Sequence, residues 1–238
     1  MPNSKFEEDV ETLVNRIGSG ADQGVREGLE KLKDRLIELS RKRLIKINHS
    51  VMELVCAKHL MLKGYEVDVE HDLGGGLICD VYAVKGHGVL AVEVETGFVP
   101  PENALDPELY CRARVASKIT RYSVRVDKFG IGIPPYYVLQ IPPALAKPPR
   151  FRNGSELEEI KRLCDLYYRN PPVSLEEVKN SRLHTVYVID VAGDIVSEVD
   201  PDFYVSTVTG LLNLTVKNEG YRNGKEALKK LVQSTRFG

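Results

Sequence analysis

The chain lacks the sequence markers of several common classes of protein site. Its four cysteines are widely separated, with no CxxC pair and no histidine pattern suited to zinc or an iron–sulfur cluster. No GxGxxG follows a predicted strand, and neither a P-loop nor a nucleophile elbow is present. The cysteines are therefore interpreted as small buried apolar residues.

The sequence also lacks a long apolar run and a strong charge of either sign. No stretch of about 18 apolar residues occurs, and the polar, acidic start has no signal-peptide core. Lys and Arg number 33 against 34 Asp and Glu, which excludes a globally basic nucleic-acid binder but leaves local basic clusters open. We therefore expect a cytoplasmic protein with no membrane partner.

The length is sufficient for one sizeable domain with extensions. The chain has 238 residues, and 42% of them are hydrophobic, as in ordinary globular proteins. We predict a helical extension over residues 1–47, an α/β core over residues 48–145 and a C-terminal α/β extension over residues 146–238.

Two short apolar runs joined by a glycine-containing turn predict a β-hairpin. The runs cover residues 78–84 and 88–95 and are rich in Val, Ile and Ala. Between them, Gly86 and His87 suit a two-residue turn in which glycine takes a positive φ. A turn of that length fixes which residues of the two strands lie opposite each other.

In that register, three acidic side chains meet on one face of the hairpin. Asp80 lies opposite Glu93, and Glu95 shares their face because side chains alternate along a strand. Like charges directly opposite each other destabilise a sheet, and a divalent cation would offset the repulsion. Mg²⁺ or Mn²⁺ is the expected cofactor, since hard cations prefer oxygen ligands. The alternative is a longer turn, with a different register in which the acids face water.

A fourth acid, Glu53, lies in a predicted helix over residues 48–63. That helix is apolar around much of its circumference and should be mostly buried. A single helical Glu is more often exposed to solvent. The next elements along the chain, a strand over residues 65–71 and then the acidic hairpin, favour a functional role instead.

A narrow apolar stripe runs along a helix predicted over residues 21–47. Its members follow spacings of four and three residues: Val25, Leu29, Leu32, Leu36 and Leu39. Such a stripe suits either packing within the chain or a coiled-coil homodimer, and both remain open. The basic residues at the end of this helix, among them Arg41 and Arg43, either complement the helix dipole or bind phosphate.

The next predicted helix, over residues 107–128, carries five cations. They are Arg112, Arg114, Lys118, Arg121 and Arg125. Charged residues on a helix usually form a solvated face. Because this helix follows the acidic hairpin, it is equally suited to supply a lysine to the site and arginines to a phosphate backbone.

The remaining predicted elements follow this helix. Strands are predicted over residues 136–141 and 183–191, with an exposed basic connection around Arg150 between them. A short basic amphipathic helix is predicted over residues 223–232.

The order of these elements resembles the PD-(D/E)XK phosphodiesterase superfamily, in the branch of archaeal Holliday junction resolvases and RecB-like nucleases. In that family a helix carries Glu, a later strand carries Asp, the next strand carries Glu-x-Lys, and the next helix often carries Gln or Lys. The matching positions within residues 48–143 are Glu53, Asp80, Glu93 with Glu95, and Lys118. Glu95 stands where the family lysine is expected, and some restriction enzymes are similar in carrying a second Glu there.

The resemblance implies a restriction-endonuclease-like α/β fold, with a mixed sheet of about five strands between two layers of helices. It also implies a metal-dependent endo- or exonuclease that hydrolyses DNA. Asp80, Glu93 and Glu53 would hold Mg²⁺ or Mn²⁺. Glu95 or Lys118 would orient or deprotonate the attacking water.

We expect DNA to be held through its phosphates, largely without sequence preference. The residues expected to contact it are Arg112, Arg114, Arg121, Arg41, Arg43 and Arg150. A homodimer is a further expectation, since a duplex carries two strands. Two alternatives stay open: a nuclease-like fold that binds nucleic acid or protein without cutting, which Glu95 favours, and an unrelated fold in which the acids lie apart.

Overall fold

Helices and strands alternate along most of the chain. The computed structural model describes residues 4–45, 47–167 and 169–217, so the helix predicted over residues 223–232 lies outside the described residues. The helices are α1 (Ser4–Gly18), α2 (Gln23–Arg41), α3 (Ile47–Leu62), α4 (Pro107–Tyr122), α5 (Pro143–Ala146), α6 (Gly154–Tyr167), α7 (Leu175–Asn180) and α8 (Pro201–Lys217). The strands are β1 (Glu66–Asp72), β2 (Ile78–Lys85), β3 (Gly88–Val94), β4 (Lys128–Ile133), β5 (Thr185–Asp190) and β6 (Ile195–Val199).

The six strands form one mixed sheet in the order in which they occur along the chain. Antiparallel pairing joins β1 to β2, β2 to β3 and β5 to β6, whereas β3, β4 and β5 run parallel. Helices cover both faces of the sheet. The predicted three-layer α/β fold is confirmed, with six strands rather than about five.

The hairpin has the predicted two-residue turn. Lys85 pairs with Gly88, and Gly86 has a φ of 62°. Further along the ladder, Val81 pairs with Val92, so the next two residues, Asp80 and Glu93, lie side by side. The alternative of a longer turn and a shifted register is wrong.

The fourth strand lies where the sequence predicted the end of a helix. The helix was expected to run to residue 128, but α4 ends at Tyr122, and residues 136–141, predicted as a strand, form none. Within β4, a Cβ on Gly130 would lie 2.5 Å from Cε2 of Tyr187 in β5. Glycine is thus required in β4 by close packing of a neighbouring side chain, although in a sequence it indicates a turn.

Each face of the sheet packs on its own set of helices. Val92 and Val94 of β3 point toward α1, α2 and α3, and Ala91 points toward the layer that contains α4, α6 and α8. Because side chains alternate along β3, this one strand contributes to the apolar cores on both faces of the sheet. Among the residues that the structure describes, no helix has the length and apolar character needed to cross a membrane.

The leucine stripe of α2 packs within the chain. Val25, Leu29, Leu32 and Leu36 are buried against α1 and α3. The two helices α2 and α3 approach closely, since a Cβ on Gly28 would lie 2.9 Å from the sulfur of Met61. The stripe is therefore not available as a dimer surface, and the homodimer remains a prediction without it.

Replacing Leu29 by alanine should lower the free energy of unfolding by about 2–5 kcal/mol, because a fully buried side chain would leave a cavity between α1, α2 and α3. Urea unfolding measures the change. Leu105, which is fully exposed, is the matched control, and its replacement by alanine should have almost no effect. Equal effects of the two substitutions would contradict the intrachain packing of the stripe.

Candidate metal centre

A cavity of about 320 Å³ opens between α3, α4 and the ends of β2 and β3. Acidic and basic side chains both line it. They are His49 from α3, Glu70 from β1, Asp80 from β2, Glu93 from β3, and Arg114, Lys118 and Arg121 from α4. Elements distant in the sequence thus direct charged groups into one space.

Asp80 and Glu93 lie just beyond the last backbone pair of the hairpin. The backbone N–H of Asp80 donates to Oε1 of Glu93 at 3.1 Å, and the N–H of Val94 donates to Oδ2 of Asp80 at 2.5 Å. Side-chain oxygens therefore replace the carbonyls that would continue the ladder. This exchange fixes both carboxylates at the edge of the cavity.

Glu95 is held by two cations from α4. Nζ of Lys118 lies 2.5 Å from Oε1 of Glu95 and 2.9 Å from Oε2 of Glu93. Nε of Arg114 donates to the same Glu95 oxygen at 3.0 Å, and Nη1 of Arg114 donates to the hydroxyl of Tyr110. A lysine from the next helix thus reaches both acids of β3.

The protonation of this half of the site follows from those contacts. Burial alone would raise the pKa of Glu95, but the charges of Lys118 and Arg114 outweigh it and lower that pKa. Burial would lower the pKa of Lys118, yet Glu93 and Glu95 raise it above its ordinary value. Glu93 differs, because burial and the charge of Asp80 raise its pKa to about 8 despite Lys118. Glu95 and Lys118 therefore form a charged pair at neutral pH.

Glu53 lacks such a partner among the residues that the structure describes. Its side chain is 0% exposed, and neither of its carboxyl oxygens has a hydrogen-bond partner in the described part of the chain. Burial, and then the charges of Asp80, Glu70 and Glu93, raise its pKa well above the ordinary value. The predicted helical Glu is thus buried rather than solvent-exposed, and it lies beside other acids.

His49 lies one helical turn before Glu53 and completes a possible ligand set. One donor atom from each of His49, Glu53 and Asp80 lies within 4.8 Å of the others. Nδ1 of His49 is 4.0 Å from Oδ2 of Asp80. Burial lowers the pKa of the imidazole, which favours the neutral form that binds metals.

These three residues fit a divalent cation. Buried polar groups in folded proteins almost always have a partner, so the two unpaired oxygens of Glu53 require an explanation. Carboxylate oxygens with one imidazole nitrogen form a donor set that binds Mg²⁺, Mn²⁺ or a later transition metal. A cation between Glu53 and Asp80 would satisfy the orphaned oxygens and offset the repulsion between the acids.

The arginines predicted to bind DNA divide into two groups. Arg114 and Arg121 line the cavity, and Arg43 directly precedes Leu44, which also lines it. The other three lie elsewhere and have local contacts: Arg112 with Glu159, Arg41 with Glu7, and Arg150 over the ring of Phe151. Arg114 and Arg121 are therefore the two arginines placed to meet a ligand of the cavity.

Two of the possible metal ligands that line the cavity, His49 and Glu70, were given no role by sequence reasoning. His49 had a signal, because residues four apart lie on one face of a helix and His49 precedes Glu53 by that spacing. Glu70 had none, since its place beside Asp80 depends on the pairing of β1 with β2, which no short turn fixes.

Comparison with protein-family models, with characterised proteins and with solved structures finds no match for this chain. The resemblance to PD-(D/E)XK nucleases accordingly stays a prediction from the order of elements and acids in the sequence.

Proposed function

We propose that this chain is a divalent-metal-dependent nuclease that hydrolyses phosphodiester bonds in DNA. The observation that carries the proposal is the buried carboxyl group of Glu53, which has no hydrogen-bond partner among the described residues and lies beside Asp80 and His49. The cavity next to it is lined by Lys118. Burying an unpaired carboxylate is unfavourable, so its retention favours a ligand at that point. A cation next to a fixed ammonium suits a substrate that carries negative charge.

The acids and the imidazole supply the ligands in this proposal. Glu53, Asp80 and His49 would hold the cation, and Glu93 would be fixed beside it by the backbone N–H of Asp80. A bound divalent cation would polarise the scissile phosphate and lower the pKa of a coordinated water.

Lys118 would occupy the role of the family lysine from a different element. Its raised pKa keeps it charged, so it would orient a phosphoryl oxygen or the attacking water rather than accept a proton. Glu95, with its lowered pKa and two cationic partners, is a poor base. We therefore assign Glu95 a positioning role, in which it fixes Lys118 in the cavity.

The arginines around the cavity would hold the DNA backbone. Arg114 and Arg121 lie on its walls, and Arg43 is the chain neighbour of Leu44, which also lines it. Contacts to phosphate make binding sensitive to salt and largely independent of sequence. The residues at a distance from the cavity, such as Arg112 and Arg41, are not needed for this interaction.

The test is cleavage of single-stranded, duplex and branched DNA in Mg²⁺ or Mn²⁺. Replacing Asp80 by alanine should reduce cleavage by roughly a hundredfold or more, because the several kcal/mol supplied by the metal would be lost. DNA binding in EDTA should change little. Asp165, which pairs with Lys161 on the surface of α6, is the matched control, and its replacement should leave cleavage unchanged.

The second candidate function is a nuclease-like fold that binds DNA without cutting it. The observation that favours it is the engagement of Lys118 by both Glu93 and Glu95, which leaves its ammonium less free for a substrate. DNA binding without cleavage of any substrate, in protein that binds Mn²⁺, would favour this candidate. Cleavage that Asp80→Ala leaves intact would contradict the proposed site.

A further inference from the structure

Glu70 has a backbone conformation that its residue type rarely adopts. Its φ is 49°, in the left-handed region, although it lies inside β1. Residues other than glycine, asparagine and aspartate are seldom found there, and such positions cluster at functional sites. The distortion of β1 at this point therefore calls for a reason.

An arginine from α2 holds this distortion in place. Nε of Arg35 donates to the carbonyl of Val69 at 2.8 Å, and Nη2 donates to the carbonyl of Glu70 at 3.1 Å. Arg35 also pairs with Asp68 at 3.2 Å. The carbonyls that β1 turns away from the ladder are thus satisfied by a side chain.

The pairing of β1 with β2 places the carboxylate of Glu70 at the candidate metal centre. The ladder pairs Val69 with Val81 and His71 with Cys79, so Glu70 lies beside Asp80. Glu70, Asp80 and Glu93 then form a row across β1, β2 and β3, and all three line the cavity. The half-buried Glu70 also has a pKa raised to about 7, by burial and by the charge of Asp80.

Ion pairs hold the acids of β3 but not Glu53 or Glu70. Lys118 and Arg114 pair with Glu93 and Glu95. No ion pair between described residues includes Glu53 or Glu70, although the charge of Arg35 opposes the rise in the pKa of Glu70. The oxygens of Glu53, which have no hydrogen-bond partner among the described residues, independently mark the neighbourhood of Asp80 as the place where a ligand would bind.

We infer that Glu70 is a further ligand of the divalent cation, which its side chain would reach by turning toward Asp80 across the cavity that both residues line. Glu70 is not among the residues whose donor atoms already lie within 4.8 Å of one another, so this turn is part of the inference. The inference rests on the proposed metal site and extends it to β1. Cations such as Mn²⁺ and Mg²⁺ take about six ligands, so a fourth protein donor leaves room for water and for one phosphate oxygen. Glu70 would thereby raise the affinity for metal and keep the cation on the Asp80 side of Lys118.

The experiment measures Mn²⁺ binding to the full chain by titration calorimetry and by the electron paramagnetic resonance of free Mn²⁺. Glu70→Gln should weaken binding roughly tenfold or more, since the number of charged ligands sets the affinity of such sites. Glu66→Gln is the matched control from the same strand, because Glu66 is exposed, and it should bind as the unaltered protein does.

A second variant separates ligation from folding. Asparagine tolerates the left-handed conformation better than glutamate does, so Glu70→Asn should raise the melting temperature in EDTA. The same variant should lose Mn²⁺ affinity as Glu70→Gln does. Higher stability together with weaker metal binding identifies a strained position kept for its carboxylate.

Three results would overturn the inference. If the unaltered chain binds Mn²⁺, Glu53→Gln weakens that binding and Glu70→Gln does not, the metal site stands but Glu70 is no ligand. If Glu66→Gln weakens Mn²⁺ binding as much as Glu70→Gln does, the lower affinity comes from the loss of negative charge in general and not from the loss of a ligand. If the unaltered chain binds no Mn²⁺ at millimolar concentration, the proposed function fails as well.

Discussion

Replacing Lys118 by methionine is expected to lower the free energy of unfolding by about 3–5 kcal/mol. Its ammonium lies within 3 Å of one carboxylate oxygen on each of Glu93 and Glu95, and all three side chains are largely buried. Removing one partner of a buried ion pair leaves the other charges uncompensated, which costs far more than losing a surface pair. Urea unfolding at pH 8 measures the effect.

The pH dependence of that loss is a second readout on the same variant. The destabilisation should be smaller at pH 5, where the carboxyls left behind can take up protons. The matched control is Lys161→Met, which removes a lysine that pairs with Asp165 on the surface of α6 and should cost less than about 1 kcal/mol. A loss for Lys118→Met no larger than the loss for Lys161→Met would contradict the buried network.

Replacing Glu53 by glutamine should have the opposite effect on the metal-free protein. Burial and the neighbouring acids raise the pKa of Glu53 well above its ordinary value, so the ionised form is unfavourable in the folded state. The neutral amide should raise the free energy of unfolding in EDTA at pH 8 by about 1–3 kcal/mol. The same substitution should abolish the stabilisation that Mn²⁺ gives the unaltered chain, because a ligand is lost.

The sign of the pH dependence follows from linkage. An acid whose pKa is raised by folding binds its proton more tightly in the folded state, so the stability that Glu53 contributes falls as pH rises above the ordinary pKa of a Glu. The difference between Glu53→Gln and the unaltered chain should therefore be small at pH 5 and grow toward pH 8. Mn²⁺ should bind more tightly as pH rises, because binding displaces that proton.

The control for these measurements is Glu8→Gln, which neutralises an exposed acid of α1. It should change stability little at either pH and leave the Mn²⁺ effect intact. If Glu53→Gln is less stable than the unaltered chain in EDTA at pH 8, the carboxylate of Glu53 has a stabilising partner in the folded protein. That result would also remove the main support for the metal site.

The hairpin could be predicted from the sequence because the residues that determine it lie close together along the chain. Gly86 and His87 fix the length of the turn, and the turn length fixes the register, which places Asp80 beside Glu93. Sequence rules failed at β4, where Gly130 serves close packing with Tyr187 and not a turn. A local sequence pattern gives no sign of this contact between Gly130 and Tyr187, since β5 lies far from β4 along the chain.

The amino-acid sequence by itself determined which faces of single elements carry charge: the acidic row of the hairpin, the apolar stripe of α2 and the cations of α4. Only the tertiary structure decided how those faces combine. It buried Glu53 without a hydrogen-bond partner among the described residues, brought Lys118 to Glu95, and paired β1 with β2 so that Glu70 lines the cavity. The physical reason is that periodicity defines the sides of one element, whereas contacts between sides depend on packing among elements far apart in sequence.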